Sequence, residues 1–70
     1  MNSSEASNTP EYANANYNLA YSYFKLKEYE NAIRAFDYAT LIDDEFLGAF
    51  MERAKAFERL KKYEEAIESY

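Results

Sequence analysis

The sequence predicts an all-α fold of antiparallel helix-turn-helix repeats, and three observations predict it. One Gly and one Pro among 70 residues leave little material for the tight turns of a sheet, while Ala, Glu and Lys are abundant. Apolar residues recur at the spacing of a helix rather than of a strand. The sequence also repeats itself at a fixed interval of 34 residues. Hydrophobic residues make up 49% of the chain and aromatic ones 19%, which argues for an ordered core and against a disordered tail. Seventy residues allow one small domain, of marginal stability.

The elements follow in order. Residues 1–9 are small and polar, with nothing to bury, and read as a flexible leader. Thr9-Pro10-Glu11 then carries the marks of a helix start: a hydroxyl that can cap, a proline whose missing N–H would have no partner at the first position, and an acid facing the positive helix end. The first helix is expected over 10–26, with Leu19, Ala20, Tyr23 and Leu26 inward. A second is expected over 29–42, with Ala32, Ile33, Phe36 and Ala39 as its stripe. Only Lys27-Glu28 separates the two, so they must be antiparallel neighbours. Asp43-Asp44 offers capping carboxylates to a third helix over 45–60, carrying Phe50, Ala54 and Phe57 on one face. A fourth, over 63–70, holds Ala66, Ile67 and Tyr70 inward, and is short enough that packing must hold it.

Charge and composition exclude several functions. The net charge is -5; residues 1–35 carry four acids and three bases, and residues 36–70 carry nine acids and five bases. No basic face for nucleic acid or for an anionic membrane stands out. Without His or Cys the usual zinc and iron ligands are missing, no disulfide can form, and no catalytic constellation is recognisable, so neither metal nor cofactor nor enzyme activity is expected. Asp43-Asp44-Glu45 lacks the Gly and spacing of a calcium loop and reads as helix capping. Lys61-Lys62 reads as a solvated turn. The first residues do not resemble a secretory signal and no segment approaches membrane-spanning length, so a cytoplasmic location is the default expectation.

Sliding the sequence by 34 residues lays Asn18–Phe36 over Glu52–Tyr70, with seven identities in nineteen positions: Ala20/Ala54, Leu26/Leu60, Lys27/Lys61, Tyr29/Tyr63, Glu30/Glu64, Ala32/Ala66 and Ile33/Ile67. Tyr23/Phe57 and Phe36/Tyr70 are conservative. The four alanines are small where paired helices would cross closely. This pattern resembles the tetratricopeptide repeat, whose period and spacing of bulky and small residues it follows through Asn16, Leu19, Ala20, Tyr23, Ala32, Phe36 and Ala39, then Phe50, Arg53, Ala54, Phe57, Ala66 and Tyr70. The resemblance implies an α-solenoid fragment with one repeat over 13–46 and a truncated second over 47–70, together making a domain over 10–70. Asn16, Arg53, Lys27, Lys61 and Asp44 depart from the family pattern at single positions.

The resemblance further implies a protein-interaction module or scaffold whose first helices line a concave groove for a peptide or partner helix. Carried over by register, the groove positions are Asn14, Tyr17, Asn18, Tyr21, Phe24 and Lys25, then Met51, Glu52, Lys55 and Arg59. Tyr17, Tyr21 and Phe24 are aromatics beyond those the repeat uses for its core, and they either meet a ligand or pack on a neighbouring helix. The subclass that grips the C-terminal carboxylate of heat-shock chaperones is not matched, since Tyr17, Tyr21 and Glu52 stand where its clamp residues belong. Repeat arrays generally need about three repeats for independent stability. The alternative reading is therefore a self-assembly unit, a homo-oligomer formed by helix stacking or exchange, or part of a longer repeat chain.

Overall fold

A computed structural model describes residues 10–68. Three helices lie in chain order: α1 (Pro10–Lys25), α2 (Tyr29–Ile42) and α3 (Leu47–Glu68), and the described residues contain no strand. The leader, the capping role of Thr9 and the inward position of Tyr70 lie outside the described residues.

α1 ends one residue before the expected boundary, in a defined motif. The Glu28 N–H donates to the Tyr23 carbonyl at 2.9 Å and the Lys27 N–H to the Phe24 carbonyl at 3.0 Å. That pair of bonds closes a helix when the residue between takes a left-handed conformation, and Lys27 does so at φ 64°. Glycine is the usual occupant; a lysine held there costs about 1–2 kcal/mol. α2 follows at once and has the expected bounds. The Glu28 carbonyl accepts the Ala32 N–H at 3.0 Å and its carboxylate accepts from the Asn31 side-chain amide at 2.9 Å.

α1 and α2 pack as an antiparallel pair, and α3 lies against α2 while touching α1 lightly. The buried hydrophobic residues among those described are Ala13, Ala20, Ala32, Ala35, Phe36, Ala39, Ala49 and Ala56. Small side chains let the helix axes approach closely, and Phe36 is the large side chain fully enclosed between them. Tyr17, Tyr23, Phe24, Ile33 and Phe46 cover this core from the sides. Thr40, also buried, donates its hydroxyl to the Asp37 carbonyl at 2.8 Å, so it brings no unpaired polar group inside.

The link from α2 to α3 corrects the expected start of the third helix. Asp43 Oδ1 accepts the Glu45 N–H at 3.1 Å, closing a local turn, and the first helical bonds instead run from Ala49 and Phe50 to the Phe46 carbonyl. The helix therefore opens at Leu47, two residues later than 45.

The larger correction concerns the fourth helix. The segments expected at 45–60 and 63–70 form one continuous helix of 22 residues, so the described chain has three helices and not four. The repeat register explains the difference. In the first copy the strained turn at Lys27 is offset by burying Ala20, Ala32, Ala35 and Phe36 across the pair. In the second copy the position of Ala35 is Ser69, so the burial on offer is smaller. Continuing the helix through Lys61 avoids the left-handed residue and adds a backbone hydrogen bond at each step.

Consequences appear along α3. Ala54 and Ala66, expected at close helix crossings, are exposed, and Phe57 is 52% exposed. Ala49 and Ala56 carry the contact with α2 instead. Leu19 and Leu26, expected inward, are 49% and 68% exposed, because the tight pairing of α1 and α2 is made by alanines. α3, with 22 residues against 14 in α2, runs past the end of α2.

Candidate partner-binding face

The face formed by α1 and α3 is tied together at two points. At one end Tyr17 of α1 stands against the start of α3: its ring lies 5.0 Å from that of Phe46, 5.7 Å edge-on to Phe36, and close to Gly48. At the other end Arg59 lays its guanidinium 5.5 Å from the centre of the Phe24 ring. Phe24 in turn meets Tyr29 of α2 edge-on at 5.6 Å. These contacts fix the separation of the two helices before any ligand arrives.

The ten groove positions taken from the sequence divide by what they touch. Tyr17 and Phe24 are half-buried and act as struts between helices. Tyr21 is 41% exposed and stacks on Tyr17 at 6.4 Å, with Lys25 5.2 Å from its ring centre. Asn14 and Asn18 are exposed beside it on the same side of α1. On α3, Met51, Lys55 and Arg59 are exposed, while Glu52 is half-buried, with its carboxylate 3.6 Å from the Lys55 ammonium. The face therefore offers one solvated aromatic ring on a rigid aromatic base, two side-chain amides and three cations.

The sequence pattern puts Lys62 in a solvated turn. With α3 unbroken it falls seven residues after Lys55 and three after Arg59, on the same side of the helix. The missed signal was the continuity of the helix, which the repeat register argued against.

The opposite side of α3 is open. A hollow of about 390 Å³ lies between the Lys27–Asn31 turn and Leu60, Tyr63 and Ile67, and another of about 400 Å³ is lined by Ile33, Asp37, Phe57 and Leu60. Arg53 bridges to Asp37 of α2 beside the second. Among the described residues no three acidic side chains converge as a metal site, and no helix is long and apolar enough to cross a membrane.

Residues 4–70 match the family described as anaphase-promoting complex, cyclosome, subunit 3, which is built from tetratricopeptide-type repeats. The chain belongs to this repeat family. The match spans almost the whole sequence, so the α1–α2 hairpin and the start of α3 are repeat elements rather than a chance helical bundle. Members of a family of this type are in general protein–protein interaction modules, typically scaffolds without catalysis. No curated protein and no solved structure matches the chain.

Proposed function

We propose that the chain is a scaffold that binds a segment of another protein, a peptide or a helix, across the face formed by α1 and α3. The observation that carries this reading is Tyr21. Its ring is exposed, stacked on Tyr17, and Tyr17 is itself held by Phe36 and Phe46. A solvated tyrosine on a fixed base gives contact area and a hydroxyl at small entropic cost, the profile of an interface anchor. Asn14 and Asn18 on α1 and Met51 on α3 extend the contact along and across the groove.

The test is a capture experiment with the intact chain and its Tyr21→Ala variant, quantified protein by protein. Partners bound through this face drop out with Tyr21→Ala while the helical signal is unchanged. Equal recovery on both baits rejects the reading.

A second reading, self-assembly, is favoured by the exposed Phe57, Tyr63 and Ile67 on the other side of α3. It expects a melting temperature that rises with protein concentration. A single monomeric species, with one melting point from micromolar to millimolar concentration, eliminates it.

A further inference from the structure

We infer that the groove takes an acidic segment of a partner protein, one carrying carboxylate side chains at alternate positions, held along a cationic stripe of Lys55, Arg59 and Lys62 on α3 with Lys25 facing it from α1. The inference rests on the groove reading above and adds the chemistry of the partner.

The stripe exists because α3 is continuous. At about 100° per residue, Lys55, Arg59 and Lys62 fall within a sector of about 60°, and all three are exposed. A turn at Lys61 would have sent Lys62 elsewhere. Half of the eight basic residues of the chain thus gather on one face of a protein whose net charge is -5. Glu52, Glu58 and Glu65 border the stripe, which leaves the face net cationic by one charge, four bases against three acids.

Two of these cations are held in place. Arg59 rests over Phe24 and Lys25 over Tyr21, so their charges are positioned without a ligand and lose less freedom on binding. Spacing favours an extended partner. Lys55 and Arg59 are about 6 Å apart along the helix axis, close to the distance of about 6.6–6.8 Å between alternate residues of a strand. Carboxylates at two alternate positions would meet Lys55 and Arg59, with Lys62 about 4.5 Å further along the axis within reach of a third through its long side chain, and the side chain between them would turn away from α3 toward Tyr21. The requirement is for acidic side chains, so a free C-terminus is not needed. Long polyanions such as nucleic acid meet the same cations, but also the overall negative field of the chain.

The probe is a short fluorescent peptide of alternating Glu and Tyr with an amidated C-terminus, titrated with the chain and followed by anisotropy. Binding is expected to weaken about tenfold when Gln replaces Glu in the peptide, about tenfold in the Lys55→Glu/Lys62→Glu variant, and progressively with added salt. Lys55→Gln/Lys62→Gln serves as the milder pair, with circular dichroism checking the helices. Equal affinity for the Gln peptide, no response to either variant, tighter binding of a single-stranded RNA of similar length, or no binding of the Glu peptide would each overturn the inference. Should charge prove irrelevant while Tyr21→Ala weakens both peptides alike, the groove reading survives and only the acidic partner is lost.

Discussion

Lys27 and Lys61 occupy the same position in the two repeats and opposite backbone states: Lys27 closes α1 at φ 64°, whereas Lys61 lies inside the continuous helix α3. One residue type in one repeat register therefore serves as a helix stop in the first copy and a helix interior in the second. The burial available beyond each position decides between them.

Glycine substitution at the two lysines should have opposite signs. Lys27→Gly relieves the left-handed strain and, after the extra freedom of the unfolded chain is counted, should stabilise by up to about 1 kcal/mol. Lys61→Gly introduces glycine into an exposed helix interior and should cost about 1 kcal/mol. Thermal melts of both variants at one protein concentration check the signs, and two shifts in the same direction would contradict the backbone assignment.

The alanine pair Ala20 and Ala54 should separate in the same way. Ala20 is fully enclosed between α1 and α2, and Ala54 is exposed. Ala20→Leu must displace the helices and should cost about 1–3 kcal/mol, whereas Ala54→Leu should stay within about 0.5 kcal/mol. Denaturant titrations would reveal the contrast, which vanishes if α3 folds back so that its own C-terminal part covers Ala54.

Gly48 in the first turn of α3 is replaceable. A Cβ built there would sit 3.6 Å from Phe46 and 3.7–3.8 Å from Tyr17, ordinary contact distances. Gly48→Ala should therefore stabilise by about 0.4–1 kcal/mol through the unfolded state. Destabilisation in a urea titration would mean that Tyr17 packs on α3 more tightly than these distances allow.

The bridge between Arg53 and Asp37 joins α3 to α2 at a partly solvated site, with side chains 32% and 54% exposed. A double-mutant cycle with Arg53→Met and Asp37→Ala should return a coupling of about 0.2–1 kcal/mol that shrinks with salt. A coupling insensitive to salt would place the pair in drier surroundings.

Most of the fold was legible because periodicity and turn length act locally. The bounds of α2 and the antiparallel pairing across Lys27-Glu28 follow from apolar spacing and from a connection too short for anything else. The fate of Lys61 was not legible, since the repeat register equates two lysines whose tertiary surroundings differ. Repeat register assigns the expected partner-facing positions to helix faces but says nothing of what each side chain touches. Spacing put Tyr17, Tyr21 and Phe24 on related sides of α1, but only Phe36, Phe46 and Tyr29 make struts of Tyr17 and Phe24 while Tyr21 stays in solvent. Lys62 was hidden for the same reason as the long helix.

An interior lined chiefly by alanine sheds little apolar surface into water when it opens. The heat-capacity step on unfolding should accordingly be small for the chain length, and its free-energy curve broad and shallow across temperature. Such a protein melts gradually at the hot end and holds on well in the cold.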